Sequence, residues 1–220
     1  KVSLCGTIYP ACGEYGRGLW YQKGGEVAIT SSSLIFGQYS RNYAPSRGVY
    51  YQTGGTLESI GGLVFGKTLY DTSNAGNCDQ FTLAGGEMTV NSAIDLAGAP
   101  NAKTTVNLNG GTLRAMFMQV LTNENQTIIG NGANTTLTNT YAWINFNGGI
   151  YSYVHRTDKL TSREAYKSES FFYGDPARMR VTSYAGGAIL DTAGHDRNLD
   201  HTITSPSGNG LISLALPKNV

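Results

Sequence analysis

Apolar and polar residues alternate along this chain in short bursts, and six of the bursts are broken at the same point by two consecutive glycines. The doublets begin at Gly24, Gly54, Gly85, Gly110, Gly148 and Gly186. Four positions before each doublet stand Trp20, Tyr50, Phe81, Val106, Ile144 and Thr182, and two before it Gln22, Gln52, Leu83, Leu108, Phe146 and Tyr184. Three positions after it stand Val27, Leu57, Met88, Leu113, Tyr151 and Ile189. A weaker column follows at Ile29, Ser59, Val90, Ala115, Tyr153 and Asp191. Steps of two place alternate side chains on one face, which is strand periodicity. The inward offsets are even before the doublet and odd after it. That phase slip predicts a corner at Gly-Gly, where the absence of Cβ permits positive φ or a close backbone approach.

A second pattern closes three of the units: Leu34-Ile35-Phe36-Gly37, Leu63-Val64-Phe65-Gly66 and Phe171-Phe172-Tyr173-Gly174 are short apolar runs stopped by glycine. Each unit then holds two or three short strands, too few to bury an apolar face alone, so neighbours must stack. The intervals between doublets are mostly too short or too irregular for a four-stranded propeller blade of about 40–50 residues. They suit one coil of a winding chain. The expected fold is all-β, a right-handed parallel β-helix (β-solenoid) of about six or more coils, with like residues laddered about 4.8 Å apart. In that arrangement the Gln22/Gln52 pair forms a short amide ladder. The expected organisation is a cap-like segment over 1–18 and a repeat domain over 19–220, with a loop excursion at 155–180.

Composition sharpens this picture. Glycine supplies 29 of 220 residues and charged residues only 14%, against usual values of ~7% and ~25%. With 10% aromatic residues and a strict repeat, the chain reads as turn-dense β structure and not as a disordered one. The net charge of +1 gives no global field to attract nucleic acid. No run of 18 apolar residues appears, so no membrane-spanning helix and no direct membrane insertion is expected. A chain opening on Lys1, without a leader, reads as a processed or excised segment. Of three cysteines, Cys5 and Cys12 flank a turn-rich span and are the candidates for a disulfide, with Cys78 left over. Their spacing is not a metal pattern.

Candidate chemistry is sparse. The excursion concentrates basic residues, with His155, Arg156, Lys159, Arg163, Lys167, Arg178 and Arg180 as a possible ligand loop, and Thr161 with Glu164 at capping-box spacing predicts a short helix over about 162–167. The alternative is a solvated loop of mixed charge. Asp191, His195, Asp196, Asp200 and His201 form the densest titratable set, but they cross a turn into a strand, which scatters them over different faces. Glu26 and Glu87 fall two coils apart with Thr56 between, short of the stacked acids that a pectin-degrading face requires. No phosphate loop, serine nucleophile elbow or calcium nonapeptide occurs, and no cofactor is expected.

The segments Y-x-Q-x-G-G-T-L (from Tyr50), N-L-N-G-G-T-L (from Asn107), I-I-G-N-G-A-N-T-T-L (from Ile128) and GGAILDTAGHDRNL (from Gly186) resemble the autotransporter-associated β-strand repeats, over roughly Leu19 to Leu214. That resemblance implies a right-handed parallel β-helix, export, and a role as stalk, adhesin or surface-layer component. It carries no catalytic residues. The charged excursion and the early cysteines depart from it. The expected function is a non-enzymatic structural or adhesive segment of a bacterial surface or secreted protein, extracellular or on the cell surface. Its expected partners are neighbouring coils or identical subunits end to end, and host or matrix glycans. A β-helical polysaccharide lyase or glycoside hydrolase, or a phage fibre segment, is the alternative.

Overall fold

The computed structural model describes residues 1–10, 16–30, 33–37, 47–66, 78–120, 137–155, 170–206 and 212–215, the last four as backbone only. The chain winds as a parallel β-helix. After β1 (Val2–Leu4), the first lap consists of β2 (Arg17–Gln22), β3 (Glu26–Ile29) and β4 (Leu34–Phe36). The second has β5 (Arg47–Gln52), β6 (Thr56–Ser59) and β7 (Leu63–Phe65), and the third β8 (Cys78–Leu83), β9 (Glu87–Val90) and β10 (Ile94–Leu96). The fourth has β11 (Lys103–Leu108), β12 (Thr112–Ala115) and β13 (Met118–Val120). The fifth has β14 (Tyr141–Phe146), β15 (Ile150–Tyr153) and β16 (Phe172–Tyr173). The sixth begins with β17 (Met179–Ser183) and β18 (Ala188–Asp191), followed by β19 (Ile203–Thr204) and β20 (Ile212–Ala215).

Three parallel sheets result. A first sheet of seven strands runs β2-β5-β8-β11-β14-β17-β19, and a second of eight runs β1-β3-β6-β9-β12-β15-β18-β20. A third of five runs β4-β7-β10-β13-β16. Each of the six doublets of the repeat lies between a strand of the first sheet and the next strand of the second, so each marks one lap, as the repeat predicts; Gly61-Gly62, outside that frame, lies between β6 and β7.

The corners explain the glycines. Gly55, Gly86 and Gly111 all have positive φ, between 69° and 80°, a region that costs L-residues roughly 1 kcal/mol or more. They also stack directly: a Cβ on Gly111 would stand 2.5 Å from the Gly86 carbonyl oxygen, and one on Gly85 would stand 2.5 Å from that of Thr53. Ladder bonds pass straight through, with the Thr56, Glu87 and Thr112 amides donating to the Gly25, Gly55 and Gly86 carbonyls at 2.9–3.0 Å. The two glutamines serve the same corners. Gln52 Nε2 donates to Gly55 O at 3.0 Å and Glu87 O at 3.2 Å, and Gln22 Nε2 donates to Thr56 O at 2.9 Å. The Tyr50 hydroxyl, 2.7 Å from Gln52 Oε1 and 3.4 Å from Gln22 Oε1, links the two rungs.

The core is a stack of like residues. Tyr50 lies flat on Phe81 at 5.1 Å, and Phe36 on Phe65 at 5.3 Å. Leu57, Met88, Leu113 and Tyr151 share one buried register column. Each such side chain withdrawn from water contributes roughly 1.5–3 kcal/mol. The apolar runs Leu34–Phe36 and Leu63–Phe65 do not alternate because both faces of the third sheet are buried there.

The frame fails at the sixth doublet. Val181 and Ser183, not Thr182 and Tyr184, continue the columns of Ile144 and Phe146, and Leu190, not Ile189, continues that of Tyr151. Ser183 and Ile189 stand six positions apart where their partners Phe146 and Ile150 stand four apart, so this corner is wider. Tyr184 is exposed and belongs to the turn.

Candidate functional site

Two places on the solenoid collect chemically useful side chains. The larger is the outward face of the first sheet. Register pairs Arg17 with Arg47, Leu19 with Val49 and Tyr21 with Tyr51. The same columns continue as Cys78, Gln80 and Thr82, then Lys103, Thr105 and Asn107, then Tyr141, Trp143 and Asn145. Arg180 stands beside Trp143 in the sixth lap. Alternation throws these residues outward while Trp20, Tyr50, Phe81 and Val106 fill the interior. Tyr21 and Tyr51 lie with ring centroids 5.5 Å apart, and Lys23 Nζ is 5.5 Å from the Tyr21 ring. A polar ladder follows, in which Asn145 Nδ2 donates to Asn107 Oδ1 at 2.9 Å and Asn107 Nδ2 to Thr82 Oγ1 at 3.2 Å.

The outward face of the second sheet has the opposite character. Glu26, Glu58, Glu87 and Asp191 project from it with Arg114. Arg114 Nε donates to Glu87 Oε1 at 2.6 Å and its Nη1 to Ser152 Oγ at 3.3 Å, while Ser152 Oγ donates to Asp191 Oδ2 at 2.8 Å. Glu26, Thr56 and Glu87 occupy successive rungs, the spacing the sequence predicts. Glu87 is committed to Arg114.

The second place is the base of the excursion. The Arg197 guanidinium lies 3.7 Å from the Tyr153 ring centroid. Its Nη2 donates to Ser170 O at 2.9 Å and Met116 O at 3.0 Å. One side chain from the sixth lap therefore ties down the fifth and the fourth. His195 packs edge-on to Tyr153 at 5.4 Å and stacks on His155 at 4.4 Å. Ser170 Oγ donates to Asp200 Oδ2.

Several titratable groups are buried in the walls. Asp79 accepts a hydrogen bond from the Gly48 amide at 2.6 Å through Oδ1. Burial pushes its carboxyl up to about 7, against the opposing pull of the Gly48 amide, Arg47 and the Gly66 amide. His201 is buried edge-on to Phe172, and burial holds its imidazole below the ordinary range despite Asp200 and Asp175. Burial likewise drives the Tyr50 and Tyr151 phenols well above theirs.

The basic set read from the sequence is divided by the structure. His155 belongs to the Tyr153–His195 stack. Arg178 is tied to Thr140 Oγ1 at 3.1 Å and Leu137 O at 3.4 Å, beside Asp175. Arg180 projects from the first sheet. Arg156, Lys159, Arg163 and Lys167, with the helix expected at 162–167, lie outside the described residues, as does Cys12, the proposed partner of Cys5. Cys5 and Cys78 are both exposed. His195 and His201 pack against different neighbours, as the phase argument expects, and Asp196 faces solvent.

Sequence reading missed Arg197, whose partner Met116 lies 81 residues away, and the contrast between the two outer faces. Alternation on β2 and β5 carried the signal for the latter. Among the described residues, no group of three His, Cys, Asp or Glu side chains is placed to hold a metal ion, and no helix is long and apolar enough to cross a membrane. No family model matches the chain, and neither a curated protein nor a solved structure matches it.

Proposed function

We propose that this chain is a non-enzymatic structural and adhesive β-solenoid segment, exported to a bacterial surface or its surroundings, whose work is to hold long polar faces rigid for contact. The observation that carries the reading is the unbroken register of the first sheet, which sets Leu19, Val49, Gln80, Thr105 and Trp143 in one straight outward column. The side chains best suited to acid–base work support it from another direction. Glu87 is held by Arg114, His195 by its ring contacts and Asp200 by Ser170, so each already has a structural task. The resemblance of the doublet segments to autotransporter-associated repeats favours the same reading. Parallel strands at the ends of such a stack offer edges for end-to-end association with identical subunits.

The test is attachment without turnover. Beads coated with the chain are expected to adhere to glycan-coated surfaces, and incubation with polysaccharides to release no new reducing or unsaturated ends. Catalytic release of such ends, at a rate set by the chain's concentration, would replace this reading with a lyase or hydrolase.

A further inference from the structure

We infer that the outward face of the first sheet binds a linear acidic polysaccharide, a polyuronate, lying along the solenoid axis. The inference deepens the adhesive reading above and rests on it. The near-neutral total charge conceals a division. The outward positions of β2, β5, β8, β11, β14 and β17 carry Arg17, Arg47, Lys103 and Arg180 and no carboxylate. The outward positions of the second sheet carry Glu26, Glu58, Glu87 and Asp191 against Arg114, with Lys1 paired to Glu26 at 3.4 Å. A polyanion is drawn to the first face and repelled by the second.

Spacing selects the kind of polyanion. Arg17 and Arg47 are neighbours in one column, and Lys103 stands two rungs beyond Arg47. The column offers one cation per one or two rungs of about 4.8 Å. A polyuronate carries one carboxylate per sugar, a comparable density. Duplex DNA carries one charge per ~1.7 Å, several times more than this face can neutralise. Chemistry agrees with spacing. Tyr21 and Tyr51 are exposed at 51% and 37%, with Lys23 beside Tyr21 and the Leu19–Val49 column between them and the arginines, and present ring faces for the C–H faces of sugar rings. Tyr141, in the column of Lys103, and Trp143, in that of Thr105, add two rings side by side on the fifth lap. Between them Gln80, Thr105, Asn107 and Asn145 supply paired donors and acceptors for hydroxyls. Arginine adds fork-shaped donors suited to carboxylates.

The experiment measures binding of the full chain to polygalacturonate, with dextran and duplex DNA as comparisons, at low and raised salt. Polygalacturonate is expected to bind, dextran to bind at least about tenfold more weakly, and salt to weaken polygalacturonate binding but not dextran binding. Replacing Arg17→Gln with Arg47→Gln should lower affinity about tenfold and flatten the salt dependence. Replacing Tyr21→Ala with Tyr51→Ala should lower affinity at unchanged salt slope. The control Glu58→Gln should not weaken binding. All these side chains are exposed, so thermal unfolding should be preserved and a lost interaction is not lost folding. Absence of polygalacturonate binding, or equal binding by the arginine variants, overturns the inference. Bead attachment that persists in either case leaves the adhesive reading standing. Tighter binding to DNA would assign the face to nucleic acid. Salt-sensitive self-association abolished equally by Arg47→Gln and Glu58→Gln would assign it to a second copy.

Discussion

Gly111 sits directly over Gly86: a methyl group on the first would stand 2.5 Å from the carbonyl oxygen of the second and 2.9 Å from the Gly85 carbonyl carbon. Nothing at that corner is a flexible side chain that could give way. Gly25, at the open end of the same column, has φ near +75° as well, but a Cβ there would meet nothing within 4 Å. The pair separates two reasons for glycine. Gly25→Ala should cost about 1 kcal/mol, the backbone term alone. Gly111→Ala should cost clearly more, because rungs must part. Denaturant midpoints of the two variants check this ordering.

The Tyr50 hydroxyl is a buried link between rungs. Tyr50→Phe keeps the ring stack on Phe81 but deprives Gln52 Oε1 of its donor at 2.7 Å. A buried acceptor left unmatched costs about 1–3 kcal/mol. The variant should therefore be destabilised by that amount, although it is the more apolar residue. An unchanged thermal midpoint would show the bond to be dispensable.

Asp79 gives the fold a pH dependence of definite sign. Its folded pKa of about 7 lies above the ordinary 3.8, so the folded chain holds this proton more tightly than the unfolded one. The stability of the wild type, relative to Asp79→Asn, should be highest near pH 4. It should fall as pH rises toward 7 and level off above that, by an amount on the order of 4 kcal/mol at most. His201 acts oppositely, because its depressed pKa lowers stability as pH falls below about 6.5. It is common to both proteins and cancels in the difference. Unfolding of the pair followed from pH 4.5 to 8 reads the effect.

Arg197 closes the base of the excursion through two backbone carbonyls. Arg197→Met keeps much of the apolar stem against Tyr153 and removes both bonds. Hydrogen bonds from a charged donor contribute about 1.5–3 kcal/mol each, so a loss of about 2–4 kcal/mol is expected after partial rearrangement. The ring resonances of His155 and His195 should shift with it, because both imidazoles pack beside Tyr153.

Much of the architecture was legible because it is written locally. The doublets mark corners, and the columns at Tyr50, Phe81 and Val106, or at Leu57, Met88 and Leu113, face inward as strand alternation requires. The runs at Leu34, Leu63 and Phe171 all join the third sheet. Its other members were harder to see: Ile94–Leu96 and Met118–Val120 carry Asp95 and Gln119 in the middle, and these pair with each other while buried. The wider sixth corner escaped because a doublet still marks it while the register around it changes. The candidate site was legible only in part. Arg178 and Arg180 stand only two positions apart, but Arg178 lies in the turn before β17 and is tied to Thr140, while Arg180 projects from the strand. Arg197 and Met116 come together only through stacking, which no local pattern records.

The most direct test of the winding is a distance ladder along the outer column. Nitroxide labels on cysteines introduced at Leu19 and each of Thr105, Trp143 and Arg180, with Cys5, Cys12 and Cys78 replaced by serine, report the spacing by pulsed electron resonance. Separations near 14, 19 and 24 Å, growing by about 4.8 Å per lap whatever the number of intervening residues, are expected. Distances that do not rise with lap number would contradict the account.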